Sequence, residues 1–283
     1  MANNSMLQIF KQARSAVSLL NPQEVRNRAR RKVRIGLVAA SDAAYDRMED
    51  LFGFPATPPG LVYRVGDPDA PAHVDLVVYE PGLAIPQGAY PLNWDDPEPV
   101  LGHIARHHED LALALARQFP AFRRPVIDRT IQMIARENAI FALTTALPDV
   151  IPNLVELPWA FGEWASDTAF LTANQVRMAF LIAAAAGKEV GFSQQKLEIL
   201  GIGAGAFGWR AIARELVGKI PFGGGLIPKA AIAYAGTFVV GKSLERLHAG
   251  RPALTRDESE AAYRQGLDQG KTVAEALALR RQV

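Results

Sequence analysis

The chain contains no cysteine. That absence excludes a disulfide framework, a thiolate metal site and a cysteine nucleophile, and it fits a reducing compartment. Long apolar runs are missing too. A spanning helix needs roughly 20 apolar residues. The longest uncharged runs of the C-terminal half are 139–148, 178–187, 199–209 and 230–241, and Asp149, Glu156, Arg177, Arg210 and Lys229 interrupt them. A secretory leader is not expected, because MANNSMLQIFKQARS is amphipathic and carries Lys11 and Arg14 where a leader has its apolar core. There is no G-x-x-x-x-G-K-[ST] phosphate loop and no G-x-S-x-G elbow to organise a serine nucleophile.

What is present bounds the architecture. The 283 residues, 49% of them apolar, suffice for one large or two small domains with proper cores. Residues 1–34 carry eight Lys/Arg and one acid, Glu24, whereas residues 35–100 carry eleven acids against Arg47 and Arg64. A basic arm before an acidic domain predicts an arm that meets something anionic or folds back on its neighbour. No zinc finger, RNA-recognition signature or interleaved aromatics accompany it, so nucleic acid is not expected.

Periodicity predicts a helix over 5–20 and a second over 22–32, then a β-type run at 33–41, a helix at 42–52 and strands at 61–65 and 73–79. Five prolines in 80–100 predict a linker. Helices are expected over 98–118, 123–147, 153–165, 168–187, 193–217 and 226–247. Thr255 with Glu258, and Thr272 with Glu275, are capping-box pairs that predict two short C-terminal helices. The expected class is α+β: a basic amphipathic arm (1–32), a small β-α-β-β unit (33–82), a Pro-rich linker (83–97), a larger all-α, Ala/Gly-rich domain (98–250) and the C-terminal helices (251–283).

Three apparent motifs have plainer readings. Gly203-x-Gly205-x-x-Gly208 matches the dinucleotide fingerprint in letters, but QQKLEILGI before it is helical in pattern and Glu215 follows too soon. Gly201/Gly205 and Ala204/Gly208 are then close helix-packing positions, and no cofactor is expected. His103 and His107, with His108 and Glu109 beside them, share helical spacing but lack a third metal ligand on that face, which leaves a solvated helix face. Asp95, Asp96 and Glu98 read as an exposed acidic loop, since acid/base work needs a pocket that separates their pKa values.

The segments RENAIFALTTALPDVIPNLVELPWAFGEWASDTAFLTANQVRMAFLIAAA and EILGIGAGAFGWRAIARELVGKIPFGGGLIPKAAIAYAGTFVVGKSL, within about Arg123–Gly250, resemble the bacterial domain-of-unknown-function family 697, which includes the YcjF-type proteins. The resemblance implies a helical domain that often follows a Ras/Era-like GTPase domain, membrane annotation for many members, and no known reaction. It also implies a reading of residues 33–82 as a degenerate GTPase unit. KVRIGLVAASDAAYDRMEDLFG aligns with the first strand, phosphate loop and helix, and HVDLVVYEPG aligns with the strand ending in D-x-x-G. The phosphate-binding residues are gone. Residues 38–46, VAASDAAYD, have no Gly or Lys and carry Asp42 and Asp46, the magnesium-side Asp position is Tyr79, and no N-K-x-D guanine motif follows. Neither GTP nor ATP binding is expected.

The expected function is that of a non-catalytic, membrane-associated adaptor or scaffold on the cytoplasmic side, linked to a GTPase and open to homo-oligomerisation. The helical domain is either a water-soluble bundle or a set of paired, membrane-embedded segments. On residues 5–20, Met6, Ile9, Phe10, Ala13, Ala16, Val17 and Leu20 form one apolar stripe with Lys11 and Arg14 outside it, and Arg26, Arg28, Arg30, Arg31, Lys32 and Arg34 follow. A stripe plus a polybasic run is the two-part signal for an anionic bilayer surface. The competing expectation is an enzyme or small-ligand-binding protein that uses a polar pocket lined by Asn174, Gln175, Arg177, Arg210 and Arg214. Convergence of these residues in a cleft with perturbed carboxylates favours the enzyme. Internal pairing, for which Asp149, Glu156, Asp167 and Glu215 are the candidate partners, favours a structural role.

Overall fold

The computed structural model describes residues 20–53, 57–144, 167–204 and 226–279. The expected helices at 5–20 and 153–165, the C-terminal part of 193–217, and Phe10, Lys11, Arg14, Gly205, Gly208, Arg210 and Arg214 lie outside them. The chain is a mixture of helices and a parallel sheet. It divides into two compact units, one formed by Gln23–Asp128 with Ala183–Val190, the other by Met1–Pro22, Arg129–Ile182 and Gly191–Val283.

The first unit opens with α1 (Pro22–Arg30), which buries Val25 and Ala29. Strand β1 (Ile35–Val38) follows, then α2 (Asp42–Leu51), β2 (Val62–Arg64), β3 (Leu76–Tyr79) and β4 (Tyr90–Pro91). All pairings are parallel, in the order β2-β1-β3-β4. The run IGLV suits a central strand covered on both faces, and Ile35 and Leu37 are fully buried. Gly36 has a specific reason to be glycine. A Cβ there would lie 2.9 Å from Val65 Cγ2 and 3.1 Å from Val74 Cγ2, both in the segment that crosses from β2 to β3.

Two features of this unit differ from the sequence expectation. The Pro-rich stretch read as a linker contributes β4, and Tyr90 and Leu92 are buried. The expected helix 98–118 is two helices, α3 (Glu98–His107) and α4 (Ala112–Gln118), because the backbone leaves helical geometry at His108. Both belong with the sheet rather than with the later helices. The physical reason is burial: Leu101, Ile104 and the run Leu111–Ala116 supply core to this unit. Phe52, Phe119 and Phe122 complete it, with ring centroids 5.9–6.3 Å apart.

The second unit is helical. It takes most of α5 (Arg123–Thr144) and α6 (Asp167–Ala185), then α7 (Lys196–Ala204), α8 (Leu226–His248) and α9 (Arg256–Leu279). Phe141 stacks on Phe170 at 3.9 Å between centroids, which ties α5 to α6. Helix α9 starts at the expected capping box: Thr255 N–H donates to Glu258 (2.8 Å) and Glu258 N–H donates to Thr255 Oγ1 (3.2 Å). The second expected box is not a helix start. Thr272 lies inside α9 and its hydroxyl donates to the Asp268 carbonyl, so one long helix replaces the two short ones. Ala231, Ala235 and Val239 of α8 pack on Tyr263 and Leu267 of α9.

Tyr263 is fully buried, and its hydroxyl has no hydrogen-bond partner among the described residues. Burial pushes its phenol up to about 12. A desolvated, unpaired hydroxyl destabilises a fold by about 1–3 kcal/mol. Tyr263→Phe is therefore expected to leave stability unchanged or raise it by about 1 kcal/mol in urea titration. A loss above that size would show that the hydroxyl is bonded.

Candidate functional site

Three helices meet in a buried polar layer. Asn138 on α5, Asn174 and Gln175 on α6 and Thr237 on α8 are all almost inaccessible to solvent. Asn138 donates to Thr237 Oγ1 at 2.8 Å, and Asn174 donates to Asn138 Oδ1 at 2.9 Å. The Thr237 hydroxyl donates to the Ala233 carbonyl one turn back, and Gln175 reaches Thr237 Oγ1 at 3.5 Å. At the edge of the layer Arg177 places Nη2 at 2.9 Å from both carboxylate oxygens of Glu137, with side chains 11% and 14% exposed. Glu137 also accepts from Asn174 at 3.3 Å.

This arrangement brings together Asn174, Gln175 and Arg177 of the expected polar set. Arg210 and Arg214 lie outside the described residues, as do the anticipated partners Asp149, Glu156 and Glu215 and the side chain of Asp167. The observed partners are Glu137, Asn138 and Thr237, which the sequence reading did not single out. A usable signal was there: Arg136, Glu137 and Asn138 are the last charged or amide residues of α5 before the apolar run that follows. Chemically, the layer directs its donors and acceptors at one another, which is how buried polar groups stabilise a fold.

A second buried pair lies elsewhere in the helical unit. Glu198 on α7 and His248 at the end of α8 approach to 3.6 Å with little exposure. Burial pushes the Glu198 carboxyl up to about 7, so near neutral pH a substantial fraction of it keeps its proton. A raised carboxyl has a signed consequence. Between its ordinary value of 4.5 and about 7 the folded state holds a proton that the unfolded state has released. Stability therefore falls as pH rises through that window. Glu198→Gln is expected to flatten the decline; an unchanged pH profile of the urea midpoint would place the carboxyl at its ordinary value.

In the sheet, the connection after β1 runs to β2 on one side and the connection after β3 runs to β4 on the other, which makes the carboxyl ends of β1 and β3 a topological switch point. Ligands of doubly wound sheets bind at such points. Here Glu80, just after β3, accepts the Ala40 N–H at 2.7 Å, and its own N–H donates to Val38 O. Ser41 caps α2 by accepting the Ala44 N–H. Asp42 is bonded to Arg64, whose guanidinium lies 5.7 Å from the Tyr45 ring centre. Burial, with the neighbouring Glu49, pushes the Tyr45 phenol up to about 12. A backbone N–H at the point where an anion would approach thus already holds a carboxylate of the chain itself.

The other expected residues are placed as follows. Of the arm, Arg28 is exposed, Arg30 pairs with Glu189 and Arg31 with Asp110 at 2.7 and 2.8 Å. His103 and His107 are exposed on α3, with rings 4.6 Å apart, and the Tyr90 hydroxyl lies 3.1 Å from His107 Nδ1 and 2.9 Å from His108 Nε2. Among the described residues no group of three or more His, Asp or Glu is placed to hold a metal ion. Glu98 pairs with Arg124. Gly203 lies in α7, so a helix and not a strand leads into the glycine pattern.

Together these features define two units, one with a four-stranded parallel sheet and one helical with an internally bonded polar layer. Comparisons with protein-family models, curated proteins and solved structures found no match. Among the described residues no helix is long and apolar enough to cross a membrane.

Proposed function

We propose that the protein is a non-catalytic adaptor or scaffold that associates with the cytoplasmic side of a membrane, partners a GTPase and uses a degenerate GTPase-like unit of its own. The observation that carries the non-catalytic part is the buried layer: Asn174, Gln175 and Arg177, the best candidates for a reactive pocket, bond to Asn138, Thr237 and Glu137. The Glu80 carboxylate on Ala40 N–H supports the same reading for the α/β unit. Membrane association draws support from the apolar stripe of Met6, Ile9, Phe10, Ala13, Ala16 and Val17 and from α7, where Leu197 and Leu200 share a face and are 82% and 57% exposed. The membership in domain-of-unknown-function family 697 implied by the helical motifs belongs to this proposal.

The test is sedimentation of the full chain with anionic and with neutral vesicles. Retention on anionic vesicles, weakened by salt and by the double substitution Leu197→Asp/Leu200→Asp, is the expected result. A protein that stays in the supernatant under all conditions sinks the membrane reading. A truncation for the same purpose is best made before Leu20, because Leu20, Val25 and Ala29 are buried and a cut at residue 32 would remove core.

A second reading, an enzyme or small-ligand-binding protein, is favoured by one observation. Glu198, raised to about 7 and 3.6 Å from His248, is the kind of carboxyl–imidazole pair that general acid–base chemistry employs.

A further inference from the structure

The end of α6 carries an unusual concentration of arginine. Gly187 closes the helix at φ 77°, a conformation that favours glycine. Its N–H donates to Ala184 O and the Lys188 N–H to Ala183 O. The next residues run between four guanidinium groups. Arg26 donates to Val190 O at 2.7 Å, and Arg117 donates to Lys188 O at 2.7 Å and to Glu189 Oε1 at 2.9 Å. Arg30 donates to Glu189 Oε2 at 2.7 Å. Arg123 Nη2 lies 3.5 Å from the point where a Cβ on Gly187 would sit.

We propose that Arg30, Arg117 and Arg123, gathered around Gly187–Glu189, form a binding site for a phosphomonoester dianion. Charge is the first argument. Among the described residues, the contacts of this segment involve Arg26, Arg30, Arg117 and Arg123, with Lys188 in the segment itself, and the carboxylate of Glu189. The C-terminal end of α6 adds about half a negative charge, which leaves a large positive excess. The second argument is Arg123. Its Nε is buried and has no hydrogen-bond partner among the described residues. Burying a charged donor without an acceptor is unfavourable, and an anion is the acceptor it lacks.

The third argument is shape. Planar guanidinium forks match phosphate oxygens in pairs, and a phosphomonoester brings about two negative charges and three acceptor oxygens where a carboxylate brings one charge and two. Arg30 and Arg117 hold the Glu189 carboxyl below its usual range, so they already grip an anion. Glu189 is more than half exposed and can swing aside. It is therefore an internal competitor: a bound phosphate takes its place on Arg30 and Arg117 and supplies the acceptor for Arg123. The site does not depend on the adaptor reading, since the phosphate could belong to a lipid headgroup or to a free ester.

The test uses the full-length protein, with Arg123→Ala and Glu189→Gln as variants. Glycerol 3-phosphate is titrated by calorimetry, and in parallel the protein is sedimented with phosphatidylcholine vesicles with and without phosphatidic acid. Arg123→Ala is expected to weaken binding about tenfold or more, the scale of a lost charge-assisted contact. Glu189→Gln is expected to strengthen it several-fold. This pair of responses with vesicles alone assigns a lipid phosphate; with the free ester alone it assigns a soluble ligand; in both arms it assigns the phosphate group itself. Binding that Arg123→Ala leaves unaltered, binding that Glu189→Gln weakens, or no binding in either arm at millimolar ester overturns the site. Vesicle binding that survives Arg123→Ala removes this site and leaves the membrane reading standing. Arg123→Lys, which keeps the charge and loses the fork, should recover part of the affinity.

Discussion

Gly270→Leu is expected to destabilise the helical unit by about 3 kcal/mol or more, the upper end of overpacking. A Cβ at this position would lie 2.8 Å from Ala231 Cα, 2.8 Å from Tyr234 Cβ and 3.0 Å from Ala231 O. Two of those atoms are backbone, so no side-chain rotation relieves the clash, and α8 and α9 must move apart along their whole contact. Gly266 repeats the condition one turn earlier, with Ala235 Cα at 2.9 Å. The contrast is Gly102 in α3, where an added Cβ would meet the mobile Arg106 Nη1 at 3.4 Å and Pro125 at 3.8 Å. Gly102→Ala is expected to stabilise by about 0.5–1 kcal/mol, because helical glycine costs backbone entropy and the space is available. Urea midpoints that fall for Gly270→Leu and rise for Gly102→Ala satisfy the prediction. Equal, small effects would mean that α9 does not lie against α8 as described.

Glu137→Ala should cost about 3–5 kcal/mol, the range for removing one member of a buried ion pair. Arg177 and Glu137 are 11% and 14% exposed, and the same carboxylate accepts from Asn174. Its loss strands charge and an amide donor together. Replacing both partners, Glu137→Met with Arg177→Met, is expected to be much milder, since no buried charge is then left over. A double-mutant cycle separates the cases. If the double variant is as unstable as Glu137→Ala, the side chains matter through packing and not through charge.

Sequence alone exposed those parts of the fold whose signals are local. The Thr255/Glu258 box needs three residues of spacing and was legible; the same letters at Thr272/Glu275 misled, because Gly270 and Thr272 continue a helix held by packing on α8. Strand β4 has two residues, one a proline, and exists because Tyr90 and Leu92 find a core, which no periodicity can announce. The boundary after the linker was misplaced for a similar reason: α3 and α4 look like the start of a helical domain, but their apolar residues complete the core of the sheet unit. At the polar layer, α6 yielded Asn174, Gln175 and Arg177 from their contrast with apolar neighbours. Their partners on α5 and α8 are 36 to 62 positions away in sequence, and such pairings follow from packing angles rather than from composition.

The polar layer also fixes how far one helix can slide along another. A shift of α6 by one turn, about 5.4 Å, would bring Phe170 or Met178 to the place of Asn174. Neither can accept the role of an amide, so Asn138 and Glu137 would lose a partner in the same step. An all-apolar seam of alanine and leucine tolerates such a slip with small penalties, and helices rich in small residues are prone to it. The four side chains of the layer, on three helices, therefore act as a vernier: they favour one alignment of α6 and leave the alignments one turn away less stable.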